Sequence, residues 1–139
     1  GVSFRDFKAK VKPSPYYKGK ASIVVLEEDG KILLLQRGDT DPHFPNMWGF
    51  PGGMQQEGEL EQETASRELY EETGIQLDSF EFLCYESTHG ILVSVYKASI
   101  VEADVKLSSE HKAYQWVKKM DDLHVAHMTQ RIMRMYVRS

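Results

Sequence analysis

Between Gly53 and Ile75 the chain reads GMQQEGELEQETASRELYEETGI, with glutamates standing where a helix should not favour them. The spacing predicts a helix over Leu60 to Thr73. Gly74 would be its left-handed C-terminal cap, with Ile75 folding back toward Leu69 and Tyr70. Glu68, Glu71 and Glu72 then occupy the last turns, against the negative end of the helix macrodipole. Each should cost about 0.3–1 kcal/mol there, and the like-charged Glu68/Glu72 pair adds about 0.2–0.5 kcal/mol. At ~100° per residue the three fall within an arc of about 100° and converge on one side. A solvated acidic face is one account of them. The other is a positive partner that offsets the repulsion, for which a divalent cation is the simplest candidate. Glu59 and Arg67 lie two turns apart and can pair across the loop–helix junction, fixing how the chain enters the helix.

The fixed positions are Gly53, Glu59, Arg67-Glu68-Leu69, Glu71-Glu72 and Gly74-Ile75. The segment resembles, without a departure, the signature of the Nudix hydrolases. That resemblance implies a fold, an α/β/α sandwich with a mixed sheet and the signature as a loop–helix–loop beside it. It also implies that Glu68, Glu71 and Glu72 hold Mg2+, or Mn2+ as a substitute, with Glu68 also placed to orient or deprotonate a water. The Gly52 carbonyl would supply a further ligand, approached through Phe50-Pro51-Gly52-Gly53. Family members commonly add a carboxylate from a loop across the sheet, as ligand or general base, and Glu110 in LSSEHKAYQWV is the best match. Arg37, ending the second strand, is implied to bind phosphate. Gly53, Glu59, Arg67 and Gly74 are expected to be structural.

The chemistry implied suits those residues. Hydrolysing a diphosphate requires offsetting the charge on the phosphoryl oxygens and delivering an activated water in line. Magnesium takes oxygen ligands, keeps several waters and bridges phosphate to carboxylate, and a bound metal lowers the pKa of its water. Glycine at 52 and 53 lets backbone approach metal and phosphate closely.

At 139 residues the chain is one domain by size. A net charge of −4 argues against a stable nucleic-acid partner, which would favour a basic protein. Cys84 is the single cysteine, which excludes an internal disulfide and fits a reducing, cytoplasmic setting; it reads as a small apolar strand residue. No apolar run approaches the ~18 residues of a membrane span. Gly1 in place of Met is expected of a trimmed or processed start.

Residues 1–20 are Lys-rich, with Pro13 and Pro15, and read as an N-terminal arm beside a single domain over 21–139. Ala21–Glu28 and Lys31–Gln36 read as strands covered on both faces, joined at the hairpin signal Asp29-Gly30. Arg37 to Pro51 reads as a binding loop. Phe80–Glu86, Leu92–Ile100 and Ala113–Val117 read as strands, with a turn near His89-Gly90, and Val125–Tyr136 as an amphipathic helix.

In the loop, Trp48, Phe44 and His43 could stack on a base or sugar, although Trp48 could equally anchor the loop. His111 could share base duty but reads first as an exposed loop histidine, Trp116 reads as a core residue, and no metal is assigned to His124 and His127. Subgroup marks of the family are missing. Ile91, Leu92 and Val93 stand where dinucleoside polyphosphate hydrolases carry Tyr, and Gly90 where ADP-ribose hydrolases carry Pro. The compact length favours a nucleoside triphosphate, normal or oxidised, as the small-molecule substrate, with nucleotide sugars next. A silent nucleotide sensor is disfavoured because such domains usually lose signature glutamates. Family members are often dimers, so a homodimer is a further expectation.

Overall fold

β1 is covered on both faces, and it changes partners along its length. In the computed structural model, which describes residues 17–118, 123 and 125–136, β1 runs over Gly19–Glu28 and β2 over Lys31–Arg37. Their ladder is short: only Glu27↔Ile32 and Glu28↔Lys31 pair. Upstream the two strands part, and β4 (Gly52–Met54) takes over the same side of β1 through Ala21↔Met54, Ser22↔Gly53 and Ile23↔Gly52. On its other side β1 runs parallel to β6 (Ile91–Ser99), register Gly19↔Ile91 to Glu27↔Ser99. β3 (Trp48–Gly49) and β7 (His111–Val117) pair with β2, and β5 (Glu81–Thr88) pairs with β6, all antiparallel. The result is a seven-stranded mixed sheet with the path β3-β2-β1-β6-β5.

Among the described residues each face of this sheet carries one helix. Val24, Leu26, Leu33, Leu35 and Tyr96 pack with Ala65 and Leu69 of α1 (Glu61–Thr73). Ile23, Val25, Ile32, Leu34, Val93 and Val95 pack with Ile132 and Met133 of α2 (His127–Tyr136). The continuous apolar runs in β1 and β2 follow from this two-sided cover, and the expected mixed α/β architecture is the one found.

Both hairpin signals hold. Asp29-Gly30 and His89-Gly90 have φ of 52° and 75°, and 50° and 79°, the left-handed pair of a tight two-residue turn. α1 stops at Gly74, φ 75°, whose N–H reaches the Tyr70 carbonyl at 2.8 Å. At the other end the Leu60 N–H is taken by the Glu63 carboxylate at 2.7 Å. Ile75 joins the core around Leu69 as expected, and Tyr70 is exposed.

Several boundaries move. β1 starts at Gly19, so the end of the expected 1–20 arm is strand; the first sixteen residues lie outside the described ones. The stretch from Arg37 to Pro51 is not all loop, because Trp48 and Gly49 pair with Gln36 and Leu35. Two residues are too few to produce a period. β7 begins two residues early, at His111, and α2 two residues late, because Val125 bridges to Trp48 instead of joining the helix.

Leu69 is fully buried between α1 and the sheet. Leu69→Ala is expected to cost about 2–5 kcal/mol, read as a lower denaturation midpoint at unchanged slope.

Candidate active site

The last turns of α1 face the Phe50–Met54 segment, and the three glutamates end in three different environments. Glu72 is buried, 5% exposed, and its Oε1 accepts the Gly52 N–H at 2.9 Å. The Val24 N–H bonds the Pro51 carbonyl at 2.9 Å, so the alternation of an antiparallel ladder turns the peptide groups of Gly52 away from β1. An added Cβ at Gly52 would collide with the Ser22 carbonyl oxygen and the Ile23 Cα. At Gly53 it would stand 2.5 Å from the Glu68 carboxylate carbon. Close approach of backbone thus requires glycine at 52, whereas at 53 an added Cβ would displace only the movable end of Glu68.

Arg67 organises the remainder. Its Nε and Nη2 hold Glu59 at 2.6 and 3.1 Å, and Nη2 also donates to the Met54 carbonyl at 2.9 Å. Its Nη1 meets Glu68 at 2.8 Å and the half-exposed Glu71 at 3.2 Å. The hydrogen bonds from Arg67 drive the Glu59 pKa down to about 2. The Glu59–Arg67 pair read from the sequence is therefore present, and it extends to two of the three acidic residues.

Burial raises the Glu72 pKa to about 8, with the neighbouring Glu68 and Glu110 charges adding to the rise and Arg37 opposing it. Burial also raises that of Glu68. Glu110 is exposed in the turn before β7, and its carbonyl accepts the Gly38 N–H at 3.1 Å, which lays this turn against the end of β2. Glu110 and Arg37 are thus within electrostatic reach of the buried glutamates.

Among the described residues no three His, Cys, Asp or Glu side chains converge as a ligating cluster. Glu72 is turned to Gly52, and Glu68 and Glu71 to Arg67. The donor set nevertheless fits a hard divalent ion: carboxylate oxygens, a backbone carbonyl in reach, and a buried carboxylate left with a single neutral N–H partner.

Beside this centre lies an apolar cleft of about 240 Å³. Arg37, Phe44 and Trp48 line it together with Gly52 and Gly53, whereas His43, also read for stacking, is exposed and not among the lining residues. Trp48 also packs against the α2-side core, which joins its two expected roles. Asp41, not singled out from the sequence, fixes the neighbourhood. Its Oδ1 accepts the His43 and Phe44 N–H groups at 3.0 and 2.7 Å, and its Oδ2 accepts Arg37 at 3.0 Å. Those bonds, the one from Phe44 foremost, lower its pKa to about 2. An Asp ahead of two N–H groups in a Pro-containing turn is the signal that could have found it.

His111 requires a correction. It is buried, not exposed, because β7 extends upstream to pair it with Arg37. Its Nδ1 has no hydrogen-bond partner, and burial lowers its pKa to about 4. Trp116 packs against the α1-side core and Cys84 against the α2-side core, as read; His124 lies outside the described residues.

The NUDIX domain family profile matches residues 17–135. The chain belongs to the Nudix hydrolases. Nucleoside triphosphatase NudI of Escherichia coli O81 (strain ED1a) is 30% identical over 115 residues, covering 72% of this chain and 82% of that protein. A MutT-like protein of Streptomyces ambofaciens is 30% identical over 105 residues, 74% of this chain; the match spans 65% of that relative's length. The crystal structure of a MutT NUDIX hydrolase from Burkholderia pseudomallei aligns with a TM-score of 0.73 and 26% identity, over 84% of this chain and 95% of that one. Divalent metals are general cofactors of this family. Among the described residues no helix is long and apolar enough to cross a membrane.

Two outcomes follow from the geometry of this Nudix site. Glu72 titrates near 4.5 when unfolded and about 8 when folded, so the folded state alone keeps its proton between those values. Stability therefore falls as pH rises through that window. In chelator-treated protein the melting temperature should drop from about pH 5 to about pH 8 more steeply for wild type than for Glu72→Gln; equal slopes would show that Glu72 is not the group responsible. Gly53→Ala should displace the Glu68 carboxylate, lowering hydrolysis while the melting temperature changes little, because the obstructed atoms end a movable side chain.

Proposed function

We propose that this Nudix hydrolase is a Mg2+-dependent pyrophosphohydrolase acting on a nucleoside diphosphate linked to X. Its substrate in this reading is a nucleoside triphosphate, normal or oxidised, which with water yields a nucleoside monophosphate and pyrophosphate. The observation that carries the reading is Glu72. A carboxylate buried against Gly52, on a segment that also lines the apolar cleft, has no structural return sufficient for its desolvation.

In this reading Glu68, Glu71, Glu72 and the Gly52 carbonyl hold the divalent ion, and Glu110 approaches from the turn before β7. Bound there, the ion supplies charge neutralisation at the phosphates and a more acidic water. Arg67 keeps Glu68 and Glu71 on the cleft side while its other edge stays fixed on Glu59. Glu68, half-buried beside Gly53, is placed to accept a proton from the attacking water. Arg37 exchanges its exposed bond to Asp41 for a phosphate oxygen. The name of the relative NudI supports the triphosphate over the alternatives, which are nucleotide sugars, ADP-ribose and dinucleoside polyphosphates.

The test is phosphate and pyrophosphate release across a nucleotide panel with Mg2+, with Mn2+ and with chelator. Chelation should abolish release. Glu72→Gln should lower it ~10^3-fold or more while folding normally, on the scale of losing a main electrostatic contact to the transition state. Equal release by the variant would sink the mechanism.

A further inference from the structure

The walls of the cleft come from separate segments, and two of them touch across it. Phe44, between β2 and β3, meets His89, at the tip of the β5–β6 hairpin. Their ring centroids are 5.5 Å apart, edge to face at 65°, and both residues line the cleft. Each ring is held by a partner of its own. Asp41 accepts the Phe44 N–H, and the Arg37 guanidinium lies 5.8 Å from the Phe44 centroid. The His89 Nδ1 lies 2.9 Å from the Thr88 hydroxyl.

The backbone does not explain the imidazole. His89 has φ 50°, a conformation that Asn adopts at least as readily, so the turn could form without a ring. The cavity volume bears on what the ring faces. About 240 Å³ is below the ~300–1,000 Å³ of pockets that enclose a whole ligand. It accepts one end of a substrate, and Gly52, Gly53 and Arg37 line it as well.

We propose that His89 is a specificity-determining residue, its ring and that of Phe44 forming the aromatic surface on which the substrate's planar base stacks. This rests on the reading of the substrate as a nucleotide. In this assignment the two rings meet the base and not the reacting phosphates, so their contribution falls on binding and not on turnover.

Steady-state kinetics with a nucleoside triphosphate, His89→Asn and His89→Phe separate ring from backbone. His89→Asn keeps the left-handed turn, and should raise KM about tenfold with kcat nearly unchanged, the scale of losing one base–aromatic contact. His89→Phe should restore KM to near the wild-type value. Inhibition by inorganic tripolyphosphate, which has no base, should be the same in all three. An unchanged KM in His89→Asn, or a His89→Phe variant as impaired as His89→Asn, overturns the assignment.

A binding titration keeps this separate from the functional reading. Trp48 lines the cleft whereas Trp116 packs against the α1-side core, so in a Trp116→Phe background nucleotide binding is followed by Trp48 fluorescence. A nucleoside monophosphate should bind about tenfold more weakly to His89→Asn; equal affinities, or no binding to the parent, overturn the assignment of His89 whether or not hydrolysis is found. Absence of hydrolysis with the affinity difference intact would instead count against the proposed reaction alone.

Discussion

The hydrogen bond from the Gly52 N–H to the Glu72 carboxylate ties the last turn of α1 to the strand that leads into it. Glu68, Gly53 and Arg67 are gathered beside that contact. One neutral donor does not replace the hydration a carboxylate loses on burial, and the raised pKa of Glu72 expresses the shortfall. Packing around it is tight because β4 lies so close on β1 that no side chain fits at Gly52. Arg67 then sorts the remaining charge: it consumes Glu59 entirely and leaves Glu68 and Glu71 only partly neutralised. A structural ion pair and a chemically available one share the same guanidinium.

The sheet explains why these groups meet. β1 gives up β2 after two residue pairs and accepts β4, and the segment Phe50–Gly52 enters at that divergence. Ladder alternation then directs the peptide groups of Gly52 to α1 on one side of the junction. The neighbouring side chains of Ile23, Trp48 and Phe50 form the apolar cleft on the other. The buried carboxylate and the apolar cleft thus meet at the same short segment.

Much of this was legible in the residues, for identifiable reasons. The α1 stop, both tight turns and the Glu59–Arg67 pair are set by local chemistry: a left-handed position, an NG-like turn, opposite charges two turns apart. The buried strands showed as apolar runs because both faces are covered. What could not be read depends on partners distant in the chain. Trp48 and Gly49 become a strand only because Gln36 and Leu35 lie opposite. His111 is buried only because β7 pairs it with Arg37. The divergent directions of Glu68, Glu71 and Glu72 depend on Gly52 and Arg67, whereas helical spacing alone placed the three on one arc. Asp41 was missed because its role is to hold a loop whose shape the sequence did not specify.

The parallel pairing of β1 with β6 has a kinetic side. Ser22 and Ser94, hydroxyls 2.7 Å apart, are 72 residues distant in the chain. A ribosome must therefore emit most of the domain before the first strand can take its central place, and closing so long a loop is slow compared with forming α1 or the hairpins. Until β6 arrives, β1 is an apolar segment waiting for a neighbour, exposed to the wrong strands as well as the right one. The same strand that gathers the site also makes its assembly a late event in the life of each new molecule.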